Sequence, residues 1–134
     1  MKMASRQHLV KVSGIEGLFA TFSGGGISAD TTKVYDGGNM TPEVLSGPAE
    51  ADNITVGRPY DLNRDPQIIA ALRKKVGTFV GTVSIQPTDR NLVAVGKARV
   101  FPNALLVSIT EPDYDATSSD AAQLELEFAV GAYA

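Results

Sequence analysis

The chain has 134 residues, 43% of them apolar and 20% charged, with a formal net charge of −3. That is the size and composition of one domain with a core of its own, and the acidic balance argues against a surface built to grip nucleic-acid phosphates. Cysteine is absent and histidine occurs once, so disulfides and thiolate chemistry are excluded and acid–base groups are scarce.

No apolar run reaches signal-peptide or membrane-span length; the expectation is a soluble protein with no membrane partner and no classical export signal. The segments "HLVKV" and "GLFATFSG" alternate with period two and predict a strand pair around a turn at Gly14 to Gly17. Gly24, Gly25 and Gly26 break the pattern. They lack the Lys-Ser/Thr of a phosphate loop and the spacing of a dinucleotide motif, so they read as a flexible turn; Gly96-Lys97 fails the same test. "ISADTTKVYD" reads as a long polar strand. Residues 37–52, "GGNMTPEVLSGPAEAD", hold the breakers Gly38, Pro42, Gly47 and Pro48 and predict a long loop or an irregular hairpin. A loop of that length is usually functional or ordered by a partner.

"NITVG" predicts a strand with Ile54 and Val56 on one face. A helix over 65–76 follows, with Asp65 as N-cap and Pro66 at the first helical position. Its apolar stripe is Ile68, Ile69, Leu72 and Val76; Arg73, Lys74 and Lys75 crowd the last turn, and Gly77 is the stop. "TFVGTVSIQP", "NLVAVGKARVF" and "NALLVSITEP" predict three strands of an antiparallel meander, turning at "TDRN" and "PN". After the acidic loop "EPDYDATSSDAAQ", the final strand "QLELEFAV" points Leu124, Leu126, Phe128 and Val130 one way and Gln123, Glu125 and Glu127 the other.

None of these residues forms a catalytic set. His8 stands alone. Glu111, Asp113, Asp115 and Asp120 could attract a hard cation, but the loop lacks the central glycine and closing glutamate of an EF-hand and reads as solvated. Glu125 and Glu127 form an acidic stripe that would repel a polyanion. Arg73 to Lys75 have a local reason at a helix end and could also meet an acidic loop of another subunit. The expectation is a protein that is not an enzyme, with no cofactor and no metal, working through assembly: open sheet edges invite other chains unless closed into a barrel. Two rival readings remain: a small β-rich domain that binds a ligand through 37–52, and a metal-using enzyme built on the acidic loop.

The order of these elements resembles the tail tube protein of tailed bacteriophages and of related contractile injection particles. The carriers are "KVYDGGNMTPEVLSGPAEADNITVGRPYD" and "ALLVSITEPDYDATSSDAAQLELEFAVGA". The resemblance implies a single mainly β domain with one short helix, a β-sandwich or partial barrel whose sheet joins neighbouring subunits into a ring-shaped barrel. It implies a homohexamer whose rings stack into the channel for DNA ejection, with DNA passing unbound. It places the protein in the virion tail after assembly in the host cytoplasm, with sheath, baseplate and tape-measure proteins as partners. Segment 37–52 would reach an adjacent subunit or ring, through Asn39, Met40, Pro42, Val44 and Leu45, with Arg73, Lys74 and Lys75 as further inter-subunit candidates. Lumen-lining candidates are Glu125, Glu127, Thr82, Ser84, Gln86, Asp30 and Thr32. If the subunits of a hexamer each gave about four strands, spaced about 4.8 Å and tilted about 45°, the backbone diameter would be roughly 50 Å and the lumen roughly 40 Å.

Overall fold

Inward stripes at period two build the core of this computed structural model, which describes residues 2–38 and 40–131. The strands are β1 (His8–Val12), β2 (Leu18–Phe19), β3 (Thr21–Gly24), β4 (Ile27–Val34), β5 (Glu43–Ala51), β6 (Ile54–Pro59), β7 (Val80–Pro87), β8 (Arg99–Thr110) and β9 (Gln123–Ala129). Among the described residues there is one helix, α1, over Asp65–Arg73. Val10 and Val12, Ile54 and Val56, Val83 and Ile85, and Leu124, Leu126 and Phe128 alternate with half-buried or exposed residues and pack together with Phe101, Ala104 and Leu106 of β8. The fold class read from the sequence holds: mainly β, one short helix, a curled sheet forming a partial barrel.

Seven strands form one sheet in the order β2-β1-β7-β8-β9-β6-β3, antiparallel between all neighbours. Its two ends are consecutive in the chain. Residues 18–19 pair with β1, residues 21–24 pair with β6, and the Ala20 N–H between them donates to the Gly57 carbonyl at 2.8 Å. One segment therefore serves both ends, and the sheet curls onto itself. β4 and β5 stand apart as a separate two-stranded hairpin. The chain leaves the sheet for the hairpin at Gly24. The backbone there has φ +91, and a Cβ would fall 2.1 Å from the Asn53 carbonyl oxygen, so glycine is required. At the hairpin's base the Asp52 N–H donates to Gly26 O at 2.8 Å.

The helix differs from its sequence reading at both ends. Arg64, not Asp65, occupies the N-cap, with no side-chain capping bond. Asp65 is the first helical residue and its carboxylate is buried, because Arg58 of β6 lies beneath it. The helix stops at Arg73, short of 76. Ile69 and Leu72 are buried and Ile68 packs against the core, but Val76 lies past the last turn and is exposed. The following turn is tied to the sheet by the Gly77 N–H, which donates to Leu106 O at 2.8 Å.

The predicted meander is present as β7, β8 and β9, with a different division of the chain. "PN" is no turn: Pro102 and Asn103 lie inside the twelve-residue β8. Asn103 takes φ +57, which asparagine tolerates, and the strand bends there without stopping. "NLVAV" is no strand either, apart from an isolated bridge between Thr88 and Ala94. The Asp89 carboxylate accepts from the Asn91 and Val93 N–H groups and folds the segment into a loop.

Candidate assembly surfaces

The hairpin has no core. Every residue of β4 and β5 except Ala51 is exposed, and each strand is hydrogen-bonded on one side only. Ile27 faces Ala51 and Ala29 faces Ala49, so these four share one face at the base. Between Ala29 and Thr31 the register shifts, with Gly47 and Pro48 opposite Asp30, a bulge that bends the ribbon. Beyond it, Thr32 faces Leu45 and Val34 faces Glu43 on one side, while Lys33 faces Val44 on the other. The apolar side chains Ile27, Val44, Leu45, Tyr35 and Met40 are all more than half exposed. A lone two-stranded ribbon is marginally stable in water, and both long edges of this one are open to pairing.

The outer face of the curled sheet carries polar rows beside apolar residues such as Val80, Val100 and Leu105. Ser23, Thr55, Glu127 and Ser108 face one another across β3, β6, β9 and β8. The adjacent row is Thr21, Gly57, Glu125 and Thr110. Gly57 keeps this second row close, because a Cβ there would meet Thr21 Oγ1 at 2.7 Å. Thr82, Ser84 and Gln86 of β7 point to the same outer side, opposite buried Gly81, Val83 and Ile85. Gln86 is fixed by donating Nε2 bonds to the carbonyls of Val95 and Gly96.

The third feature lies where the helix meets the sheet. Arg58 Nη2 donates to Asp65 Oδ1 at 2.5 Å, with both side chains buried. Arg58 Nη1 donates to Glu16 O at 2.6 Å, and the guanidinium sits 4.6 Å from the centroid of the Phe19 ring. Asp65 Oδ2 accepts the Asp61 N–H at 2.8 Å. Burial pushes the Asp65 carboxyl up, but the Asp61 N–H and the Arg58 guanidinium outweigh it and hold the group below the ordinary carboxylate value. This pair fastens β6, the 13–17 turn and α1 together. It went unnoticed in the sequence, although Arg58 continues the inward stripe Ile54, Val56, an unusual place for a cation.

The acidic loop, residues 111–122, lines a shallow depression of about 500 Å³ with Glu125 and Tyr114 on its wall. Thr117 donates from its hydroxyl and its N–H to Asp115 Oδ1, which holds that carboxyl low. Among the described residues no three His, Asp or Glu side chains are placed to hold a metal.

No protein-family model matches the chain, and no curated protein does. Solved structures match along its whole length. A chain of an extracellular contractile injection system, in the PVC sheath/tube terminator in extended state, superposes with TM-score 0.85 at 21% identity, covering 100% of this chain and 96% of that one. A chain of the anti-feeding prophage cap, the AFP tube terminating cap, gives TM-score 0.84 at 20% identity, covering 100% and 90%. The chain has the tail-tube fold. Hcp1 from Flavobacterium johnsoniae shares it more distantly, with TM-score 0.53 at 14% identity, covering 92% of this chain and 89% of that one.

Set on the tail-tube fold, the sequence candidates separate into three places. Glu125, Glu127, Thr82, Ser84 and Gln86 share the sheet's outer face, whereas Asp30 and Thr32 lie on the hairpin. Met40, Val44 and Leu45 are exposed on the hairpin or at its tip, Pro42 is half-buried there, and Asn39 lies outside the described residues. Of 37–52, residues 43–51 are strand β5, so the irregular hairpin is the form the segment takes. Arg73, Lys74 and Lys75 are at the helix end, where Arg73 Nη1 approaches Glu111 Oε1 at 3.7 Å within the same chain.

Proposed function

We propose that this chain is a structural subunit of the tail tube of a phage or a related contractile injection particle, forming hexameric rings that stack into a channel. The observation that carries the reading is the hairpin. The curled sheet has brought its own ends together, yet the chain continues into 17 strand residues, eight in β4 and nine in β5, that bury almost nothing. Such a ribbon gains its stability on a neighbour, by pairing its open edges or by covering its apolar face. The likeness to sheath–tube and terminator structures supports the same role, non-enzymatic and mechanical. The polar rows around Glu125 and Glu127 are the face we assign to the bore, because a conduit for an anionic cargo must not hold it. Sheath and baseplate proteins are the partners this reading gives the tube's outside and end, and DNA is the cargo if the particle is a virion.

Electron microscopy of the purified protein tests the proposal. Long tubes are expected from a repeating subunit, and single rings or short stacks from a terminator. The Asp52 N–H to Gly26 O bond closes the hairpin's base, so 27–51 can be replaced by a short glycine linker. The trimmed chain is expected to keep its circular dichroism spectrum and to lose assembly. A wild-type chain that stays monomeric at high concentration would favour the small binding domain and end the tube reading.

A further inference from the structure

At the end of the sheet where β1 starts and β7 stops, a pocket of about 150 Å³ is lined by Lys2, Met3, Gln7, Pro87, Thr88 and Val95. Thr88 is 3% exposed, and its Oγ1 has no hydrogen-bond partner among the described residues. That hydroxyl is closed off from the pocket, which Thr88 lines with its other atoms. Met3, Pro87 and Val95 give the pocket an apolar wall. It adjoins a wider depression that shares Lys2 and Gln7 and adds Arg6 and Arg90, so the rim is cationic. Asp89, the carboxylate on that rim, is already engaged by the Asn91 and Val93 N–H groups.

The chain carries a matching group. Tyr114 is 90% exposed, between Asp113 and Asp115, on a loop anchored by buried Pro112 and by the Ala122 carbonyl, which accepts the Tyr60 N–H at 2.7 Å. Asp113, Asp115 and Asp120 make no ion pair among the described residues. β8 runs from the pocket side to this loop, and its twelve residues span roughly 35 Å, so Tyr114 does not reach the pocket of its own chain.

We propose that Tyr114 of one copy docks in the pocket beside Thr88 of the next, its ring against Met3, Pro87 and Val95 and its flanking aspartates set against Lys2, Arg6 and Arg90. The size of the pocket suits one ring, an aromatic side chain suits its apolar wall, and the charges on the two rims are opposite. The contact is heterologous, joining two different surfaces, so it propagates into a ring or a stack. It rests on the reading that copies of this chain assemble.

The test compares wild type, Tyr114→Phe, Tyr114→Ala, the reversal Asp113→Lys with Asp115→Lys, and that reversal combined with Arg6→Glu and Arg90→Glu. Assembly is followed by analytical ultracentrifugation over a concentration series at low and high salt, with circular dichroism reporting the fold. Tyr114→Ala is expected to raise the concentration needed for assembly by at least about tenfold, Tyr114→Phe by less. The reversal is expected to block assembly and the combined variant to restore it. Wild-type behaviour of Tyr114→Ala, or a combined variant no better than the reversal, overturns the docking and leaves the tube reading standing. A wild type that never assembles removes both. An unfolded variant is replaced by Val95→Glu, on the pocket wall, which is expected to block assembly as Tyr114→Ala does; normal assembly of that variant counts against the pocket.

Discussion

Replacing Asp65 by alanine is expected to be among the most damaging single changes in the molecule. Asp65 is fully buried and Arg58 is 2% exposed, so the variant would leave a guanidinium inside the protein without its counter-charge. Arg58 Nε already lacks a partner, and loss of the carboxylate would free Nη2 and the Asp61 N–H as well. Breaking a buried pair on one side costs about 3–5 kcal/mol, a large part of the stability of an ordinary domain. With an unfolding entropy of about 2.1 cal/mol/K per residue over 134 residues, the loss lowers Tm by roughly 11–18 °C. Urea titration followed by circular dichroism measures it, as a shift of midpoint at constant slope. The pH dependence supplies a second reading. The folded carboxyl sits below its unfolded value, so the pair's contribution is complete above the unfolded value, about 3.9, and is lost as pH falls through the folded one. The gap between wild type and variant should therefore close in acid. The paired change Arg58→Met with Asp65→Leu should recover more than half of the loss. A deficit below about 1 kcal/mol for Asp65→Ala, the range of exposed pairs, would refute the argument.

Phe128→Ala, at a fully buried position of β9, should cost about 3–5 kcal/mol in the same titration, while Glu125→Ala on the opposite face should stay within about 0.5 kcal/mol. Gly24→Ala combines a positive φ with a contact on Asn53 O and should destabilise by about 2 kcal/mol or more; a neutral result would mean the hairpin leaves the sheet by another path. Glu125→Lys with Glu127→Lys should turn assembled protein into a nucleic-acid binder whose affinity falls steeply with salt, by a slope near 0.9 per phosphate contacted. Unchanged DNA retention by the assembled variant would place those residues away from the bore.

Elements with strict alternation were legible in the sequence. β9 shows its buried and exposed faces residue by residue, and β1 and β7 do so nearly as well. The errors arose where a local signal was overridden by context. "PN" has turn chemistry, but Pro102 sits where a strand bends and Asn103 accepts a left-handed backbone, so β8 runs through. "NLVAV" has strand chemistry, but Asp89 caps a loop there before any neighbour can pair with it. Asp65 looked like an N-cap because nothing in its local sequence showed the cation beneath it; the pairing joins a strand and a helix across a five-residue turn and exists only once both are packed. The hairpin was ambiguous because residues 43–51 have no buried face, and without one the sequence carries no period to read.

The meeting of both sheet ends in residues 18–24 separates two events in the life of the molecule. The barrel can be finished by a solitary polypeptide, since no foreign strand is needed to complete it. The ribbon cannot, because ordering its backbone has no internal recompense. If copies assemble as proposed, growth on an existing end, where a seat for the ribbon is already in place, is far easier than the first encounter of free copies. A pool of ready subunits would wait for a seed, and length would be decided by what starts the structure and what stops it.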